Sequence, residues 1–200
     1  MAPGTARKTG LILLLLTVVI GLACPKSHAK DRPWFFPDHF KSQYAGNMGL
    51  VSVGLGYSHF DDKLHLDVFY GYVPTFVGGV ETHTVTTKIA VFPINYIIKP
   101  GHKLSPLTFG WNLSVIIGED YFFKPPDRYP ENYYWATNFK IMPYIGARAH
   151  RDLSNRIPFS GLDFYVEIGT VDLYLHDFLH SKFVGIWDIL NFSFGFGVNF

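Results

Sequence analysis

The stretch ILNFSFGFGVNF, Ile189 to Phe200, decides the fold. Taken in twos, Leu190, Phe192, Phe194, Phe196, Val198 and Phe200 form one row, and Asn191, Ser193, Gly195, Gly197 and Asn199 form the other. A period of two belongs to an extended strand, whose successive side chains point to opposite faces. A water-soluble sandwich would bury the Phe row and wet the small polar row. A membrane barrel does the reverse, with Phe in lipid and Asn, Ser and Gly in the lumen. The aromatic carboxyl end favours the second arrangement.

The amino end agrees with it. Arg7 and Lys8 precede an apolar run from Leu11 to Ala23, and Ser27-His28-Ala29 is a small-x-small site suited to cleavage after Ala29. A run of thirteen residues is too short for a spanning helix, which needs about 20. The expected organisation is therefore a removable export signal over 1–29 and a single β-barrel domain over 30–200. Cys24 leaves open a lipoprotein anchor, although Gly21 stands where such a site usually has Leu. Cleavage after Ala29 removes the single cysteine, and with it any disulfide or thiolate metal site.

Composition separates the remaining classes. The chain is 48% apolar, 18% aromatic and 16% charged, against about 25% charged in a soluble domain. No segment after Ala23 approaches a spanning helix, so the apolar residues are dispersed as a barrel requires. A formal net charge of +1 supplies no basic stripe, which excludes a nucleic-acid partner.

The alternation recurs along the chain. Met48 to Phe60 sets Val51, Val53, Leu55 and Tyr57 against Ser52, Gly54, Gly56 and Ser58, and Asp61-Asp62-Lys63 turns it into Leu64 to Pro74. A strand from Glu81 bends at Pro93 and continues over Ile94 to Ile98. Further strands are expected over Leu107 to Gly118, Tyr134 to His150 and Gly161 to Leu175, with long loops at Glu119–Tyr133 and His176–Asp188. With the terminal stretch this makes seven clear strands, yet a single-chain bacterial barrel normally has an even number. The eighth is expected at about Asp38 to Ala45, where the alternation is weak; the alternative is a strand hidden in the last loop. The early placement puts the Asp61–Lys63, Lys99–Pro106 and Arg151–Ser160 turns at one end, and the longer loops at the other. The fold class expected is an all-β, up-and-down antiparallel transmembrane barrel of about eight strands.

Phe196, Val198 and Phe200 look like the C-terminal signal by which outer-membrane barrels reach their insertion machinery. The stretches QYAGNMGLVSVGLGY (Gln43 to Tyr57), FYGYVP (Phe69 to Pro74) and PDRYP (Pro126 to Pro130) resemble an uncharacterised family of small outer-membrane proteins of Bacteroidota-type bacteria. That resemblance implies a barrel in the cell outer membrane, with outer-membrane lipids and the insertion machinery as partners. It implies no activity.

Charges on the inward row then become the candidate site: Asp67, Lys88, Lys140, Arg148, Asp163 and Glu167. Tight hairpins would set Asp67 opposite Lys88 and Arg148 opposite Asp163, where opposite charges stabilise one another. Glu167 and Lys140 would then reach across the lumen, to each other or to Lys88. Such a network reads as a polar plug, and alternatively as a narrow path for ions or small solutes. No cofactor, metal or catalytic residue is assigned. The enzymatic alternatives are His176 with His180, and His150 with Ser154 and Asn155. The latter faintly resembles the His-x-Ser-Asn motif of lipid A deacylases, but its wider His-to-Ser gap departs from that pattern.

Overall fold

The structure is a computed structural model that describes residues 35–118, 138–153, 159–180 and 185–200, without the side chains of 176, 177 and 179. The export signal, Cys24, the Glu119–Tyr133 loop, Ser154, Asn155 and the His176 side chain lie outside the described residues.

Nine strand segments account for most of the rest: β1 (His39–Ala45), β2 (Val51–His59), β3 (Leu64–Val73), β4 (Thr82–Val91), β5 (Tyr96–Lys99), β6 (His102–Ile117), β7 (Phe139–Asp152), β8 (Gly161–Gly169) and β9 (Asn191–Asn199). Their order is β4-β3-β2-β1-β9-β8-β7-β6, all neighbours antiparallel, and β6 pairs back onto β4. The result is a closed eight-stranded barrel. The ninth segment, β5, is no extra wall. It continues the line of β4 along β6, which pairs with β4 from Ile117 to Phe109 and with β5 from Leu104 to His102. Pro93 stands at the break between them, where no ladder donor is needed.

The weak early alternation is a full strand. β1 closes the barrel between β2 and β9, with Gln43 opposite both Ser52 and Gly195. The expected turn Lys99–Pro106 is shorter than read from the sequence, because β6 starts at His102. A register shift between Ser105 and Thr108 accommodates Pro106, as a bulge allows. β8 likewise ends at Gly169, six residues before Leu175. There Asp172 accepts a bond from its neighbour Leu173 N at 2.8 Å and opens a helix. That helix, α2 (Asp172–His180), is one of three short helices, with α1 (Thr75–Gly78) and α3 (Ile186–Ile189). All three lie at the long-connection end.

The two faces of the wall are opposite in character. Val51, Leu55, Val68, Trp111, Phe164 and Phe192 point outward and are exposed, Phe192 to 63%. His39, Lys41, Asp67, Lys88, Arg148 and Glu167 point inward and are buried, Lys88 to 1% exposure. Eight strands leave an interior just wide enough for side chains, and glycine decides who occupies it. Gly54 stands opposite Phe69, Gly56 opposite Asp67, Gly110 opposite Tyr144 and Gly195 opposite Tyr165. A Cβ on Gly195 would fall 2.3 Å from the Tyr165 ring and 2.5 Å from the Ser42 carbonyl oxygen, and the latter is backbone. Overpacking of this kind costs about 1–3 kcal/mol. Gly195→Ala should therefore lower the urea unfolding midpoint by that equivalent, whereas Gly79→Ala, at a turn with φ of 76° but nothing within 4 Å, should show only the smaller cost of backbone strain.

Candidate functional site: the ionic interior

Two clusters fill the lumen. The first lies near the short-turn end and is built by β1, β3, β7 and the β2–β3 turn. Asp67 accepts from His39 Nε2 at 2.5 Å and from Lys41 Nζ at 2.8 Å. Lys41 Nζ also lies 3.0 Å from His65 Nδ1, and His65 Nε2 lies 2.7 Å from Asp62 Oδ1. Nδ1 accepts from the Lys41 ammonium, while Nε2 faces both Asp62 Oδ1 and, at 3.1 Å, Arg148 Nη1. Arg148 completes the cluster, its Nη2 at 2.5 Å from Asp62 Oδ2 and its Nη1 at 3.1 Å from Oδ1. Its guanidinium lies 4.0 Å from the centre of the Phe92 ring.

The β2–β3 turn pays conformationally for this placement. Phe60, Asp61 and Asp62 all have positive φ, between 55° and 66°, a region sparsely used by non-glycine residues. Asp62 is held there by Arg148 and His65 rather than by its own backbone preference.

The second cluster lies deeper. Lys88 Nζ donates to Gln43 Oε1 at 2.8 Å and to the Glu167 carboxylate at 2.7 Å. The rings of Tyr165, Tyr144 and Phe69 surround the ammonium, with centres 4.7, 4.9 and 5.5 Å away. Three ring faces and two oxygens replace its water shell. Ser193 Oγ lies 3.4 Å from Glu167 Oε2, and Thr86 and Ser114, opposed on β4 and β6, share a 2.6 Å hydrogen bond.

No family model, curated protein or solved structure matches this chain. Function must therefore be read from these contacts.

Of the six charges picked from the sequence, the structure brings Lys88 and Glu167 together. Asp67 and Lys88 do stand in register on β3 and β4, but each is bonded elsewhere. Arg148 and Asp163 do not meet. β7 runs to Asp152, which pairs with Gly161, so the opposed pairs are His150 with Asp163 and Arg148 with Tyr165. His150 Nδ1 lies 2.8 Å from Asp163 Oδ1, and Asn199 Nδ2 donates to Oδ2 at 2.9 Å. Lys140 is only half-buried, toward the Asp172 end of the wall. Phe196 and Val198 lie on the outward row of β9, and Phe200 N donates to the Asp38 carbonyl at 3.0 Å. Sequence reasoning missed Lys41, His39, His65 and Asp62 as partners. Their signal was present: Lys41 and Gln43 alternate with Phe40 and Tyr44, and Lys41 faces Gly54 and Gly197.

Two cavities of about 10 Å³ lie between the interior side chains, each with room for about one water. Two predictions follow from the pairing. Lys88→Met strands the buried Glu167 carboxylate and should cost about 3–5 kcal/mol. Adding Glu167→Gln should recover much of that in a double-mutant cycle read by chemical denaturation. Asp62 lies in the turn; burial raises its pKa, but hydrogen bonds from His65 and Arg148 outweigh this and hold it far below the ordinary 3.8. A depressed carboxylate pKa gives stability that is complete above the unfolded value and is lost as pH falls below it. Unfolding midpoints should therefore drop in acid, below about pH 4, and less steeply for Asp62→Asn.

Proposed function

We propose that the chain is an integral outer-membrane β-barrel protein with a sealed polar lumen and a non-enzymatic structural or envelope-interaction role. One observation carries this: the polarity of a soluble protein is inverted, with Lys88 at the axis 1% exposed and Phe192 on the outside 63% exposed. Outward Leu, Val, Ile, Phe and Trp side chains occur on β2, β3, β6, β7, β8 and β9. Water-soluble monomers rarely expose contiguous apolar patches above a few hundred Å², whereas hydrocarbon accepts such a belt without cost. Strand length points the same way. β2, β3, β4, β8 and β9 have 9 or 10 residues, and a tilted membrane strand needs about 9–11.

Orientation follows from the connections. The β2–β3 turn and the β5–β6 turn are tight, while the β6–β7 and β8–β9 connections at the other end are long, so the short-turn end faces the periplasm and the helices face outward. The resemblance of Gln43 to Tyr57 to small outer-membrane proteins supports the same placement. A non-enzymatic role is supported by the way the interior charges are taken up by one another.

Purified protein added to phospholipid vesicles should float with them through a density gradient and remain bound after a carbonate wash. In planar bilayers it should give no discrete conductance steps. A monomer that stays soluble without detergent would overturn the membrane placement, and solute-sized steps would overturn the sealed lumen.

A further inference from the structure

The line along which β3 would continue past the short-turn end is open. β3 begins at Leu64, opposite Val91, and beyond that pair Phe92 N donates to the Lys63 carbonyl at 2.8 Å. The chain then runs through Pro93 into β5, which pairs with β6 on one side, Tyr96 opposite Leu104 and Ile97 opposite Lys103. Among the described residues no strand pairs with the other side. The backbone donors and acceptors of that edge are presented as a template.

Three surroundings fail to satisfy this edge. Hydrocarbon offers nothing to unpaired N–H and C=O groups, so an open sheet edge does not face lipid tails. Water suits the backbone but not the side chains, since consecutive Tyr96, Ile97 and Ile98 are 57%, 75% and 59% exposed. A second copy is opposed by symmetry. Two barrels related by an axis along the membrane normal would set β5 beside its twin in parallel, the weaker pairing, with Lys99 against Lys99.

What remains is a strand of another protein, and the charge around the edge says which kind. From Thr82 to Gly118 the sequence holds no acidic residue. Lys99, His102 and Lys103 are exposed along the hairpin, and exposed Arg151 stands opposite His102 on β7. Asp152 follows on β7, its N–H donated to the Gly101 carbonyl at 2.7 Å. At this corner Lys99, Lys103 and Arg151 outnumber it, and the corner is positive.

We propose that the β5 edge is a docking site for an extended, acidic segment of a periplasmic protein, which adds a strand alongside Tyr96–Lys99. This rests on the membrane placement and the envelope-interaction role proposed above. Backbone bonds supply affinity, as in other strand additions, and the cations select the sequence. The wall closes by β4 on β6, so the cylinder stands without β5 and the hairpin is free to serve a partner.

The test uses the full chain in phosphatidylcholine nanodiscs and two short fluorescent peptides, one of Thr-Glu-Val-Glu repeats and its Thr-Lys-Val-Lys twin. The acidic peptide should bind about tenfold tighter than the basic one, and should slow hydrogen exchange at the amides of Tyr96 to Lys99. Lys99→Glu combined with Lys103→Glu should reverse the order of affinity. Ile97→Pro should bring both peptides to background, because proline breaks the edge, while circular dichroism shows the barrel intact. A chain that does not enter the discs overturns the membrane placement. One that enters but binds both peptides alike, or neither, overturns the docking site alone. So does slow exchange in β5 before peptide is added, which would mean that this chain or a second copy already covers the edge. Protection by phosphatidylglycerol discs without peptide would make the patch a lipid contact and overturn it too.

Discussion

Space inside the cylinder is the constraint on which everything else depends. An eight-stranded wall leaves room for one layer of side chains, and this chain spends that room on a few large groups. Phe69, Tyr144, Tyr165, Asp67 and Glu167 each face a glycine across the ladder. The ionic clusters are possible only because the glycine pattern clears ground for them. A Cβ on Gly56 would overlap Asp67 Oδ1 and lie 2.6 Å from His39 Nε2, so the same absence of side chain that admits the carboxylate admits its partner. Charge and volume are thus written into one pattern, not two.

The ion pairs connect walls that the ladders do not. Lys88 on β4 reaches Glu167 on β8, Arg148 on β7 reaches the β2–β3 turn, and Lys41 on β1 reaches Asp67 on β3. None of these pairs joins adjacent strands in the barrel order. Buried ion pairs return little net stability over apolar packing, because desolvation offsets attraction. What they add here is discrimination. A slip of one residue on any strand would turn its interior charges outward and strand their partners inside. The network therefore fixes the register of a wall whose outer face, mostly aliphatic and aromatic, would tolerate many.

How far the sequence revealed this follows from the same physics. Period-two alternation marks strands strongly where both rows are pure, as in β9, and the even-strand rule found β1, whose outward row is mixed because Ser42 stands between Phe40 and Tyr44. Register was harder. Joining β7 to β8 by a turn starting at His150 shifts every pair by two residues in their sum. Face is preserved by such a shift, so Arg148 and Asp163 were rightly sent inward and wrongly sent to each other. Lys88 and Glu167 lie 79 residues apart in sequence, and no local rule joins them; only the barrel's closure does. Asp62 was hidden for a different reason. Turn residues are read as polar by default, and its contact with Arg148 depends on three consecutive left-handed residues that no composition signals.

With the lumen packed and its charges taken up by one another, chemical individuality is left to the two ends. They differ. The long-connection end carries α1 and α3, whose Phe76 and Trp187 are 84% and 78% exposed, while the opposite end carries β5, where all four residues are exposed. On the proposed membrane placement, Phe76 and Trp187 sit at the level where aromatic rings favour the lipid boundary. β5 has a different character: its Tyr96, Ile97 and Ile98 end in Lys99, and beyond β6 no strand of the described residues pairs with it. An apolar strand with an open edge is a template for another strand unless something blunts it. Here the only blunting visible in the sequence is Lys99 and the Pro100-Gly101 turn that follows. The barrel thus leaves one rim with exposed aromatic rings and the other marked by a short open edge. That asymmetry follows from the β2–β3 turn: β3 begins at Leu64, opposite Val91, so the chain beyond Pro93 pairs with β6 alone.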